Sequence, residues 1–358
     1  MRFLLNLVLG AMLALGVLEA CLSVLPVNSG LRMVSTSAAE PYSRYLPRQA
    51  FVYSHGWNLL NARHGTTNNL GFINAADFDR PPSKVLIIGD SFIESFMHNY
   101  PDTLQGHLES TLGKGIDTVA TSGNGLADTL QLLRKFVPMM RPSAVVIFVK
   151  TWDPSVIAAA PLPGYSGFFN EGKNVTVHHV PYRESAVKKW VTKSALIRYL
   201  YYNLKLSEWL SQALKFGAPV GRSIDKDVLA DEAVKKLQFT RYYLAEVNAI
   251  KKLYGLQVTF LLDGDRRSFH PSQKDKTQVS NIEDHSFFIR LANEAGFDLV
   301  DMQPIFKRHW LAHREEFDYL PADGHWNAVA HKLAADALVP SLLSLVHGDL
   351  SGRQQMKN

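Results

Sequence analysis

Val85-Leu86-Ile87-Ile88-Gly89-Asp90-Ser91-Phe92 is the stretch that decides the fold. Four consecutive branched or long apolar residues ending at a glycine leave no polar face, so they read as a strand buried on both sides. Such strands belong to parallel sheets covered by helices. A serine directly after the strand, where a helix starts, occupies the carboxyl edge at which α/β sheets bind their ligands. The free N–H groups of the helix start can hold a developing oxyanion. Gly-Asp-Ser alone equally suits an ordinary turn or helix cap, so the rest of the chain must decide.

Working outward, the same alternation recurs. Asp117–Ala120, Ala144–Val149, Val258–Leu262 and Asp298–Val300 read as further strands. Leu126–Phe136, Tyr242–Tyr254, Ile282–Ala295 and a last segment from about Asn327 to Val346 read as helices, with Gly255 and Gly296 at two of the ends. Strands alternating with helices predict a three-layer α/β/α sandwich around a central parallel sheet. The domain is expected over 81–347, interrupted by an insertion at about 154–231, and followed by a polar tail at 348–358. Residues 27–80, rich in Pro, Ser, Asn and Gly, are expected to be a linker and irregular chain lying on the domain. Within the insertion a helix is expected from Glu184 to Phe216. There Trp190, Ile197, Leu200, Tyr201, Leu204 and Leu210 recur at helical spacing beside Lys188, Lys189, Lys193, Arg198 and Lys205. An amphipathic helix packing on the sheet is the expected reading, and a basic, aromatic surface meeting a membrane or an acidic glycan is the alternative.

The 358 residues are 46% hydrophobic and 20% charged, enough apolar material for a large core and too much for a disordered chain. The formal charge of +5 is spread without a basic run, which argues against nucleic acid as a partner. Cys21 is the sole cysteine, which excludes an internal disulfide and a cysteine zinc site. Arg2 precedes an apolar stretch from Phe3 to Pro26, broken only by Asn6, Glu19 and Ser23. It is just long enough to cross a bilayer, and its one cation lies ahead of it. Residues 1–26 therefore read as an uncleaved signal anchor with the remaining chain exported. A cleaved signal peptide, or a lipoprotein processed at Leu18-Glu19-Ala20-Cys21, are the other readings.

The second chemical pattern is Asp323-Gly324-His325-Trp326-Asn327 before the last helix. A serine hydroxyl needs a base to become nucleophilic, histidine titrates in the useful range, and a carboxylate must fix its tautomer. Asp323 lies close enough to His325 to do so. Asp263, Asp265, His270, His178 and His179 lack metal-ligand spacing, so neither a metal nor another cofactor is expected. Asp263, at a strand's carboxyl end, is a candidate substrate-binding residue. Asn174-Val175-Thr176 has the form of a glycosylation sequon.

Together with Ser122-Gly123-Asn124-Gly125 after the second strand, these patterns resemble the SGNH/GDSL hydrolase superfamily, in its order, from about Asn68 to Leu343. The resemblance implies a flavodoxin-like sheet, Ser91 as nucleophile and N–H oxyanion donor, Gly123 as second donor, His325 as base and Asp323 as its partner. Asn68-Asn69-Leu70-Gly71-Phe72 resembles a segment preceding the first block in exported, membrane-anchored members. The third block departs from the family, since Lys150-Thr151-Trp152-Asp153 places tryptophan where an asparagine completes the oxyanion hole. Trp152, or Asn124, is then the candidate replacement donor. The resemblance implies an extracytoplasmic serine esterase acting on O-acetyl groups of a cell-surface glycan, on the periplasmic side if the cell is Gram-negative. An O-acetyltransferase using the same site, and a non-catalytic glycan-binding or assembly protein, are the alternatives.

Overall fold

The computed structural model describes residues 1–358 apart from 75, 79–82, 173, 207–225, 270–277, 321–322 and 356–358. Helix α1 (Arg2–Ser23) is followed by strands β1 (Ala50–His55), β2 (Leu60–Thr66) and β3 (Val85–Gly89). Next come α2 (Ser91–Glu94), α3 (Leu104–Leu112), β4 (Ile116–Ala120), α4 (Leu126–Met140), β5 (Ala144–Val149) and α5 (Asp153–Val156). The inserted region contributes β6 (Ser166–Glu171), β7 (Asn174–His179), α6 (Ala186–Val191) and α7 (Ala195–Arg198). The chain then forms α8 (Lys226–Tyr254), β8 (Gln257–Leu262), α9 (Gln278–Glu294), β9 (Asp298–Asp301) and α10 (Met302–His313). It closes with β10 (Asp318–Leu320), β11 (Asp323–Trp326) and α11 (Ala328–Gln355).

Five strands pair in parallel in the order β4-β3-β5-β8-β9. The chain thus runs outward from β3 to β4, returns past β3 to β5, and continues the other way. This is the flavodoxin-like order, whose switch point lies between β3 and β5. Residues alternate across the sheet. Leu86, Ile88, Val145, Ile147 and Phe260 pack with Leu130, Phe136, Tyr243 and Phe288 of α4, α8 and α9. Val85, Ile87, Val146 and Phe148 pack with Leu108, Phe306, Ala334 and Leu338 of α3, α10 and α11. Two cores, one on each face, make the expected three-layer sandwich.

Two regions differ from the sequence expectations. Part of the stretch read as irregular, 27–80, is the antiparallel hairpin β1–β2. Around it the Asn68 side chain accepts from the N–H groups of Leu70 and Phe72, folding the turn that delivers Phe72 into the core, 5.3 Å from Phe136. In the insertion, α6 and α7 are separate short helices joined by Thr192-Lys193-Ser194 and followed by a π-helical turn, Tyr199–Asn203. A fresh cap explains the break: Ser194 Oγ accepts from Ile197 N at 3.2 Å. Helix α7 meets α1 and the π-helical turn meets β1, and Trp190 and Tyr201 are exposed. From residue 207 onward the expected helix, including Leu210, lies outside the described residues, as does His270.

Candidate active site

The turn from β3 into α2 places Ser91 as the first helical residue. Asp90 caps that helix, its Oδ1 accepting from Phe92 N at 3.0 Å. Gly89 allows the tight return, because a Cβ there would meet Ile93 Cγ1 at 2.5 Å. Beneath the turn lies a charge that the sequence reading passed over. Lys150, buried at the end of β5, donates to Asp90 Oδ2 at 2.6 Å and to the Asn124 carbonyl at 3.2 Å, and approaches Asp153 Oδ1 at 3.4 Å. Burial disfavours its charge, but Asp153 and Asp90 outweigh that and raise its pKa. Burial in turn pushes the Asp153 carboxyl up to about 6 against the attraction of Lys150. One cation therefore ties together the ends of β3, β4 and β5. No family pattern marks a lysine at that place, so only the fold reveals it.

His325 arrives on the β10–β11 ribbon. Its Nε2 stands 2.8 Å from Ser91 Oγ, and its Nδ1 meets Asp323 Oδ1 in a very short contact. Asp323 Oδ1 also accepts from His325 N at 3.2 Å. Burial would raise the Asp323 carboxyl, yet its bonds to His325 keep it below the usual range. Ser91, His325 and Asp323 are partly exposed, so the line of three opens to solvent.

The ribbon is held from below. Trp326, alternate to His325 on β11, points the other way and is fully buried, 5.1 Å from Phe148 and 5.8 Å from Phe306. Its indole N–H donates to Asp263 Oδ1 at 2.8 Å. Arg266 also donates to that oxygen, to Asp318 Oδ1 at 2.7 Å and to the Gly324 carbonyl at 2.6 Å. Asp263 therefore corrects the sequence expectation. It is 1% exposed and spent on Trp326, Arg266 and the N–H of Gly264, so it anchors the ribbon instead of lining a substrate groove. The sequence gives it a plausible address at a strand end but no sign of Arg266 coming back to claim it.

The second block is tied to the first on both sides of Ser91. Asn124 Nδ2 donates to the Gly89 carbonyl at 3.0 Å, and Ser122 Oγ donates to Glu94 Oε2 at 2.5 Å. Gly123 lies between these ties with φ +88°, and a Cβ on it would meet the Tyr165 hydroxyl at 2.6 Å, so the turn demands glycine. Asn124 is buried with its amide already on Gly89, which makes it a strut of the turn. Burial pushes the Glu94 carboxyl up to about 7. Trp152 is exposed beside the Ser91 turn, its ring 6.1 Å from Phe92 and 5.7 Å from Lys150 Nζ. None of the described residues accepts a hydrogen bond from its indole N–H. Phe92 also lies 4.9 Å from the His325 ring.

Among the described residues no group of three or more His, Cys, Asp or Glu side chains could hold a metal ion. His178 bonds Glu171, and His179 bonds Thr36 and Ser166.

No family model and no curated protein matches the chain. Among solved structures it is similar to LAE5, an alpha/beta hydrolase enzyme from the metagenome of Lake Arreo, Spain, at 15% identity and a TM-score of 0.41, covering 75% of this chain and 98% of that one. The acetyl xylan esterase AlAXEase matches at 14% identity and a TM-score of 0.40, over 72% of this chain and 98% of its own. A catalytic mutant of Axe2, an acetylxylan esterase from Geobacillus stearothermophilus, matches at 15% identity and a TM-score of 0.39, over 73% and 94%. At these values the sheet and the candidate site stand on this chain's own geometry.

Proposed function

We propose that the protein is a membrane-anchored serine esterase acting on O-acyl groups, above all O-acetyl groups, of a cell-surface glycan. The observation that carries the chemistry is the line Ser91 Oγ, His325 Nε2, His325 Nδ1, Asp323 Oδ1. Ser91 Oγ attacks the ester carbonyl while His325 Nε2 takes its proton, and Asp323 stabilises the imidazolium that forms. The N–H groups of Ser91 and Gly123 hold the oxyanion, with the indole N–H of Trp152 as third donor. Collapse breaks the ester C–O bond, and His325 returns the proton to the leaving sugar oxygen. Water then enters the acyl-enzyme by the same route, giving a carboxylic acid and free Ser91. A sugar hydroxyl entering in place of water would make the same site an O-acetyltransferase.

Anchoring rests on α1, whose 22 residues include a window of mean hydropathy 2.1 with none of it buried. Glu19 near its end accepts from Ser194 Oγ and from the N–H groups of Ala195 and Leu196. Removal of α1 by processing before Cys21 would take that partner from α7, which favours an uncleaved anchor. Fluorophosphonate labelling of the full-length protein tests the chemistry. The expected result is covalent modification of wild type and none of Ser91→Ala, with loss of aryl acetate hydrolysis by about 10³-fold or more. Unlabelled, inactive wild-type protein that binds acetylated glycan would replace the esterase reading with a binding protein.

A further inference from the structure

The insertion carries a surface that the esterase reading does not use. Trp190 and Val187 of α6 are 73% and 72% exposed, Trp57 in the β1–β2 turn is 76% exposed, and Tyr201 is also exposed. They form one body with the end of α1. The Tyr199 hydroxyl donates to the Trp57 carbonyl at 2.7 Å, and Asn203 Nδ2 donates to the Ser54 carbonyl at 3.2 Å. Asn203 Oδ1 accepts from Asn28 N at 3.1 Å, just beyond α1. Between α6 and the π-helical turn lies a groove of about 200 Å³ lined by Lys188, Thr192, Ile197, Arg198, Tyr201 and Tyr202. Arg198 Nε is buried there with no hydrogen-bond partner among the described residues.

The depth of this surface follows from α1. At 1.5 Å per residue its 22 residues measure about 33 Å, little more than the roughly 30 Å of a bilayer's hydrocarbon core. Glu19 lies four residues before the helix end, about 6 Å from it. It therefore reaches the boundary of the hydrocarbon, where an unpaired carboxylate would be costly. Its three bonds to Ser194, Ala195 and Leu196, at 2.7–2.9 Å, bring the start of α7 to the same level. Trp190 lies four residues before Ser194 and Trp57 is tied to Tyr199 of the following turn, so the elements joined to α7 carry exposed tryptophans, a tyrosine and cations, the composition of a membrane interface.

We propose that Ala186–Asn203 and the β1–β2 turn lie in the headgroup layer of the bilayer that α1 crosses, with Arg198 and Lys188 on the phosphates of anionic lipids. The proposal rests on the anchor reading above. Its test uses full-length protein in a Cys21→Ser background, reconstituted in phosphatidylcholine vesicles with about a quarter phosphatidylglycerol. Spin labels at Trp190→Cys, Leu9→Cys and Leu311→Cys report the platform, the middle of α1 and an exposed residue of α10. The expected result is a ratio of oxygen to nickel-complex collision rates at Trp190→Cys roughly threefold or more above Leu311→Cys, below that of Leu9→Cys. Adding Lys188→Gln and Arg198→Gln should lower the Trp190→Cys ratio toward that of Leu311→Cys. A membrane-shielded Leu9→Cys label with an aqueous Trp190→Cys label overturns the platform and leaves the anchor standing. An aqueous Leu9→Cys label removes the anchor and the platform together. Shielding of Trp190→Cys by soluble polygalacturonate, without shielding by the vesicles, would assign the surface to an acidic glycan and overturn the proposal.

Discussion

Trp152 stands where the sequence resemblance places an asparagine donor, and the proposed oxyanion hole makes it the residue to test first. Its indole can offer a single N–H, while its ring already faces Phe92 and Lys150. Replacement by phenylalanine keeps the ring contacts and deletes only the donor. If the indole holds the oxyanion, Trp152→Phe should lower kcat for an aryl acetate by about tenfold or more with KM little changed. An unchanged kcat would reduce Trp152 to a wall of the site. Ser91, His325 and Asp323, the residues of the proposed line of three, were legible because each occurs in a short pattern beside a predicted strand or helix end. Lys150 was not legible, because its role comes from two carboxylates at 60 and 3 residues' distance that only the sheet brings within reach.

At the scale of elements, the ribbon β10–β11 has few hydrogen bonds of its own and depends on Arg266. Arg266→Gln would leave Asp263 and Asp318 buried or half-buried without their cation, at a cost of about 3–5 kcal/mol. The expected outcome is a lower thermal midpoint and loss of esterase activity, because Gly324 and its neighbour His325 lose their tether. Arg266→Lys should recover part of the stability and less of the activity, since an ammonium's three donors radiate from one nitrogen and cannot span the acceptors that the guanidinium fork reaches. Strands β3 and β5 were readable because burial on both faces imposes an unbroken apolar run, and β8 breaks that run within its buried stretch only at Thr259. The short helices of the insertion were not, because the boundary at Ser194 is set partly by Glu19, 175 residues away. Periodicity alone continues straight through it.

At the scale of the whole molecule, a buried carboxyl couples folding to pH. Glu94 is held near 7 from an ordinary 4.5 by burial, so the folded state binds its proton more tightly than the unfolded chain. The stabilising contribution of the protonated carboxyl is present below about 4.5 and is lost as pH rises through about 7. Glu94→Gln keeps an acceptor for Ser122 and removes the titration. The variant should gain stability relative to wild type as pH rises across that window, on the order of 3 kcal/mol by pH 8. Paired thermal unfolding at pH 5 and pH 8 measures it, and a constant difference would place the titration elsewhere. Sidedness is a second whole-molecule matter. A reporter fused after Pro26 should be active on the extracytoplasmic side, since Arg2 precedes α1 and no cation follows it in sequence before Arg32; activity confined to the cytoplasm would reverse the orientation.

The contact between Ser91 and His325 joins residues 234 positions apart. At about 5–20 residues per second, roughly 10–50 s of synthesis separate the two. Throughout that interval the nucleophile exists without its base, and no shorter portion of the chain can assemble the line of three. On the proposed reading, hydrolysis is consequently withheld until the ribbon docks. A ribosome stalled before residue 325, or a product clipped ahead of it, would lack His325, so on the proposed reading activity reports that the chain has been made at least that far.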